Sequence, residues 1–252
     1  MKTQPEEERI HRAVAAAYGE LARSQKQASA CCTLEPAASP DYSAEELASV
    51  PAGAYLGAGS GNPIRHARLQ AGEVVIDLGS GAGIDAFLAA QQVGPSGRVY
   101  GFDLTPEMIA RARQNAAWKY PNVSFERAKI EHLPLPSAAA DVAISNCVIN
   151  LSPDKNRVFK EIFRVLRPRG RISISDIVLR GEANAIEAIR HNPELEKWCA
   201  CVLGALEQEE YVQTIRDAGF VDVKLVSERL AMSQPGGGVT SVAITLTARK
   251  TH

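Results

Sequence analysis

The residues able to do chemistry fall into two groups, a glycine turn bracketed by acids and a scatter of thiols. Asp77-Leu78-Gly79-Ser80-Gly81-Ala82-Gly83 sets three glycines at alternate positions behind an acid. Glycines so spaced let a ligand approach the backbone where a Cβ would intrude. About twenty residues beyond the turn, Arg98-Val99-Tyr100-Gly101-Phe102-Asp103 ends in a second acid, and an acid at that place can accept hydrogen bonds from both hydroxyls of a ribose. A tight turn that binds nothing is the competing account, and the paired acid argues against it.

The thiols are Cys31, Cys32, Cys147, Cys199 and Cys201. Adjacent cysteines such as Cys31 and Cys32 rarely bridge each other comfortably. An odd count without a framework of staples fits a reducing, cytoplasmic setting in which thiols are available for chemistry. Free cysteine is among the most buried residue types and often merely packs. Cys147, however, follows an apolar run in Asn146-Cys147-Val148-Ile149-Asn150, where the fold should open a crevice, and is read as reactive. Cys201, in Trp198-Cys199-Ala200-Cys201-Val202, belongs to a segment expected to cover the same crevice. Cys199, two positions away, would face elsewhere on a helix and is read as packing. Thiolates converging from remote segments suit a thiophilic atom rather than magnesium or calcium. Zinc competes, but no closely spaced ligand pair with histidine supports it; His132 and His191 are read as surface or structural residues.

The elements that must position these residues form an α/β pattern. Val74–Leu78, Arg98–Asp103, Val123–Arg127, Asp141–Cys147 and Arg171–Asp176 read as strands, with helices over Ile84–Ala90, Thr105 to about Trp118, and Asp154–Leu166. Ahead of them come an amphipathic helix over Glu6–Ser24, a capping box of Ser43 and Glu46, and the glycine-rich loop Tyr55–Pro63. From Ile177 to Gln208 the chain looks helical and irregular, with no strand signal. A helix over Glu209–Ala218 and a closing antiparallel pair, Val221–Glu228 and Ser241–Lys250, follow around Gln234–Gly238. The expected fold is a doubly wound, Rossmann-like sheet, mostly parallel with an antiparallel closing strand. The expected division is an N-terminal helix and cysteine loop (1–41), a ligand-binding core (42–176), a helical insertion over the site (177–208), and closing elements (209–252).

Composition narrows the classes. At 45% hydrophobic and 23% charged the chain can bury a sizeable core, and a net charge of −1 offers no field for nucleic acid. No run is long or apolar enough for a leader or a membrane span. A cytoplasmic monomer is expected, without nucleic acid or membrane as partner.

The Asp-x-Gly-x-Gly-x-Gly spacing resembles motif I of class I S-adenosylmethionine (SAM) methyltransferases. With that cofactor on Asp77, Gly79, Gly81 and Gly83 and its ribose on Asp103, adenine falls near Ile130 and Glu131, with Leu104 and Thr105 over the ring. The methyl group then points toward the loop headed by Asn146. More specifically, the chain from about Cys31 to Gly219 resembles the arsenite SAM methyltransferases. The likeness rests on Tyr42–Leu47, Asp77–Gly83, Thr105–Met108, Ser175–Val178, Cys201–Ala205 and, most diagnostically, Ile144-Ser145-Asn146-Cys147-Val148-Ile149-Asn150-Leu151-Ser152-Pro153-Asp154-Lys155.

The resemblance implies methyl transfer to trivalent arsenic, for detoxification, with Cys147 and Cys201 as arsenic-binding thiols. It makes Cys31 and Cys32 candidates for a further ligand. In-line displacement by the arsenic lone pair needs alignment rather than a general base. An external thiol of glutathione or thioredoxin type would return the product to the trivalent state. The departure is Ser60, where the family usually has cysteine; a hydroxyl is a poor ligand for a soft metalloid. The chain also stops soon after the final sheet, without the further C-terminal domain of many relatives. Two other readings stay open: methylation of a small organic acceptor with Cys147 merely packed, and a non-catalytic thiol binder of arsenic.

Overall fold

The computed structural model describes residues 4–24, 42–117, 119–190, 202, 204–233 and 238–251. Cys31, Cys32, Trp118, His191, Cys199, Cys201 and residues 234–237 lie outside them, and with them the expectations placed on those positions.

Seven strands make one sheet: β1 (Val74–Leu78), β2 (Arg98–Asp103), β3 (Val123–Arg127), β4 (Ala140–Asn146), β5 (Leu166–Gly181), β6 (Val221–Ser233) and β7 (Val239–Arg249). Their spatial order is β3-β2-β1-β4-β5-β7-β6. The first five pair in parallel, and β7 runs antiparallel to both β5 and β6. The described helices are α1 (Gln4–Arg23), α2 (Ala44–Ser49), α3 (Ile64–Ala67), α4 (Ile84–Val93), α5 (Pro106–Ala116), α6 (Lys155–Val165), α7 (Ala183–Arg190) and α8 (Gln208–Asp217). The doubly wound expectation holds, including the antiparallel closure.

Strand alternation sorts the core into two layers. Val75, Val99, Val142 and Ile144 pack with the apolar faces of α4 and α5. Ile76, Leu78, Phe102 and Ala143 face the other way, against Val158, Phe159 and Ile162 of α6 and Tyr211 and Ile215 of α8. Both faces are covered, so the central strands read as unbroken apolar runs. The predicted capping box is present, with Glu46 N–H on Ser43 Oγ and Ser43 N–H on Glu46 Oε2.

The stretch after Asp176 departs from expectation. Ile177–Gly181 is strand, continuing β5 in register against β7 from Ile177↔Ala243 to Gly181↔Val239. Ile177, Val178 and Leu179 are all buried, and a short apolar run covered on both faces carries no period that separates strand from helix. At its other end, β5 begins at Leu166, ahead of the strand start read at Arg171, and the segment 167–170 interrupts the ladder. β5 slips register against Ala140 and Val142, with Arg169 at φ 67°.

Replacing Ile162 by alanine, at the centre of the α6 interface, should cost about 2–5 kcal/mol. Urea unfolding should show this as a lower midpoint with an unchanged slope.

Candidate functional site

The sheet order reverses at β1, which lies between β2 and β4. Open α/β sheets bind ligands at the carboxyl ends of strands at such a point. The turn after β1 and the loop after β4 meet there. Gly79, Gly81 and Gly83 have φ of 67°, 52° and 102°. A Cβ on Gly79 would lie 2.3 Å from Val148 Cγ2, so the β4 loop packs directly on the glycine turn. At Gly81 a Cβ would meet nothing within 4 Å. That position borders a cleft enclosing about 1000 Å³, open solvent included.

Of the sequence-predicted residues, Gly79, Gly81, Asp103, Leu104, Thr105, Ile130, Glu131, Asn146 and Cys147 all line this cleft. Asp77 and Gly83 do not. Gly83 is the N-cap of α4 and has no side chain to cap with, and a Cβ there would strike the Phe87 and Phe125 rings. Asp77 is buried beneath the turn and accepts the Ala86 N–H, one of the open donors at that helix start. Its carboxyl is pushed well above its ordinary range by burial and by the charges of Asp85 and Asp103. Both residues lie behind the turn, outside the cleft lining.

Asp103 braces the turn. Its Oδ2 accepts the Gly81 N–H at 3.0 Å and its Oδ1 accepts the Thr105 N–H at 2.8 Å. The Thr105 hydroxyl also bonds Asp103 and makes no capping bond to α5. Burial raises the Asp103 carboxyl, against the lowering effect of those N–H donors. Each carboxylate oxygen keeps acceptor capacity for a ligand. Glu131 sits at the far end of the cleft, where Oε1 accepts His11 Nε2–H at 3.0 Å and Ser152 Oγ–H at 2.5 Å. Burial raises this carboxyl too, but the His11 and Ser152 bonds outweigh it and hold it below its ordinary range.

Asn146 anchors the opposite wall. Its Oδ1 accepts the Ser60 N–H, and its Nδ2 donates to Tyr42 Oη, the Gly61 carbonyl and Asp85 Oδ2. Tyr42 in turn donates to Asp85 Oδ1 at 2.8 Å. Ser60 is buried beside Gly59, which lines the cleft, and its hydroxyl has no hydrogen-bond partner among the described residues.

Cys147 is 5% exposed and has φ 58°. A non-glycine residue held at positive φ costs on the order of 1–3 kcal/mol. Its N–H bonds the Ser175 carbonyl at 2.8 Å, fixing the thiol at the end of β4. Behind it Asp176 is almost fully buried. This carboxylate accepts from Ile177 N–H, Asn150 N–H and Tyr211 Oη, with Lys155 close enough to act on it by charge.

Sequence reading missed His11, Val14 and Tyr18 of α1, which line the cleft together with Asp85, Leu56 and Met108. The spacing of His11, Val14 and Tyr18 marks one helix face, but only as a packing face. Tyr42 and Asp85 lie 43 positions apart, and no local pattern links them. Among the described residues no cluster of three or more His, Cys, Asp or Glu side chains could hold a metal ion. His132 is exposed, as expected.

Burial raises the Asp176 pKa from 3.8 to about 6. An acid whose folded pKa exceeds its unfolded one stabilises the fold at low pH and loses that contribution as pH rises through the folded value. The penalty of Asp176→Asn, measured by urea unfolding, should therefore be largest near pH 4. It should shrink by about 3 kcal/mol or less by pH 7.

Residues 69–219 match the family model described as a methyltransferase domain. An arsenite methyltransferase of Halobacterium salinarum is 46% identical over 200 residues, covering 77% of this chain and 50% of that protein. The arsenite methyltransferase of Mus musculus is 33% identical over 233 residues, covering 86% of this chain and 60% of that protein. The chain thus spans 50% and 60% of the length of these two curated relatives. The crystal structure of an arsenic(III) S-adenosylmethionine methyltransferase from Chlamydomonas reinhardtii superposes with a TM-score of 0.68 at 33% identity, covering 84% of this chain and 71% of that one. Taken with the switch-point cleft and its thiol, these likenesses show that the chain belongs to the arsenite methyltransferase family.

Proposed function

We propose that this protein transfers methyl groups from SAM to trivalent arsenic held on thiolates, serving arsenic detoxification. The observation that carries the reading is Cys147, a buried thiol held at positive φ in the same cleft as the glycine turn and Asp103. The cleft also suits the cofactor. Gly81 leaves open space where a Cβ would intrude, the buried Ser80 hydroxyl lacks a partner among the described residues, and Asp103 retains acceptor capacity.

In this reading Asp103 takes the ribose hydroxyls, Leu104, Thr105 and Ile130 enclose the purine, and Glu131 accepts from its exocyclic amine. Bound there, SAM supplies an electrophilic methyl. Cys147 holds the arsenic from the β4 side, and Cys201 supplies the second thiolate. The residues fix distance and direction, which is what an in-line displacement requires, so no general base is needed. An external thiol reductant returns the product to the trivalent state.

Purified protein given SAM, a reducing thiol and methylarsenite should yield methylated arsenic, resolved by chromatography with elemental detection. Cys147→Ser should lower the rate by about 10²-fold or more through lost positioning. Turnover insensitive to that substitution would overturn the reading in favour of another acceptor.

Ser60 stands where the family's further thiol is expected. Methylarsenite has two exchangeable positions and needs only Cys147 and Cys201, whereas inorganic arsenite has three. Cys31 or Cys32 is proposed to supply the third. A Cys31→Ser, Cys32→Ser double variant should then lose arsenite turnover while keeping that of methylarsenite, and an undiminished arsenite rate would exclude the substitution.

A further inference from the structure

His11 lies on α1, more than sixty residues before the first strand, yet it lines the cleft beside Glu131. It is 9% exposed, and its neighbours on the same helix face, Ile10 and Val14, are aliphatic and buried. Its Nδ1 has no hydrogen-bond partner among the described residues. An aliphatic side chain would pack this face without leaving a ring nitrogen unpaired in the interior, a loss that costs free energy. What the imidazole adds is the bond from Nε2.

That bond has a defined direction. The Glu131 carboxyl is held in its charged form by the bonds it receives, and a carboxylate only accepts. Nε2 therefore carries the hydrogen. Ser152 Oγ–H donates to the same oxygen, Oε1. Two donors from different segments, one on α1 and one in the loop after β4, thus occupy one oxygen. Lys129, two residues before Glu131, also pairs with Glu8, one turn earlier on α1.

We propose that His11 is a positioning residue for recognition of the purine. Together with Ser152 it saturates Glu131 Oε1, locks the carboxylate plane, and leaves Oε2 to accept a hydrogen bond from a 6-amino group. A 6-oxo purine would set a carbonyl oxygen against the carboxylate. The site therefore discriminates between 6-amino and 6-oxo nucleosides, and His11 supplies part of that discrimination without touching the ligand. This rests on the reading that SAM occupies the cleft with its purine at Glu131.

The test is calorimetric binding of S-adenosylhomocysteine and of its 6-oxo analogue, S-inosylhomocysteine, to the whole chain. The wild type should prefer the amino form by about 10–100-fold, the range set by one hydrogen bond to a charged group. His11→Leu should reduce the preference to within about threefold, and His11→Gln, which can still donate, should restore most of it. Ser152→Ala, which leaves α1 intact, should also lower the preference and serves if His11→Leu folds poorly. If His11→Leu weakens both ligands equally and leaves their ratio unchanged, the residue only seats the helix and the proposal is overturned. A wild-type ratio near one overturns it as well. Failure of S-adenosylhomocysteine to bind at all would instead overturn the cofactor reading on which it rests.

Discussion

The site depends on the packing of two loops against each other at the point where the sheet reverses. Val148 rests on Gly79 at a distance that leaves no room for a Cβ. The β4 loop can therefore sit directly on the turn after β1. This contact places Cys147 and the glycine turn on one cleft, and the Cys147 N–H bond to Ser175 ties the arrangement to β5. Three glycines and one cysteine take positive φ there, and the cost falls on the cysteine. Only glycine adopts such backbone without penalty. The cysteine is held there by the strands on either side of it.

Around this contact the chain buries acids without giving each a cation. Asp77, Asp103 and Asp176 all have carboxyls raised by desolvation, and Asp77 also feels the charges of Asp85 and Asp103. Backbone N–H groups, rather than ion pairs, do most of the compensating: Ala86 for Asp77, Gly81 and Thr105 for Asp103, Ile177 and Asn150 for Asp176. Helix starts and turns offer such donors with no side-chain entropy cost. Of these three acids, only Asp103 lines the cleft, where Asp85 and Glu131 join it.

The wall of the cleft is assembled from segments far apart in the chain. Asn146 binds the Gly59–Gly61 loop, Tyr42 and Asp85 through one amide. At the other end α1 closes the cleft with His11, Val14 and Tyr18. The ion pairs of Arg23 with Glu107 and Lys129 with Glu8 lie outside this seam and are well exposed. Exposed pairs contribute little, so the buried face and the His11–Glu131 bond are what seat the helix.

By itself the sequence determined most of the elements and picked out nine of the residues that line the cleft. The strand, glycine turn and helix after Val74, the acid at Asp103, the capping box at Ser43 and the thiol at Cys147 were all legible. Each is a local pattern set by backbone conformation, periodicity or turn chemistry, and such patterns need only a few neighbouring residues. What only the tertiary structure decided was which side chains meet. Asp77 and Gly83 look like ligand contacts in the motif, but they serve the start of α4, because the turn folds them behind its own backbone. Ile177–Gly181 became strand because β7 lies alongside to pair with it. His11 reached Glu131 across 120 positions. Contacts at that separation depend on how whole layers pack, and no period or spacing in the chain encodes them.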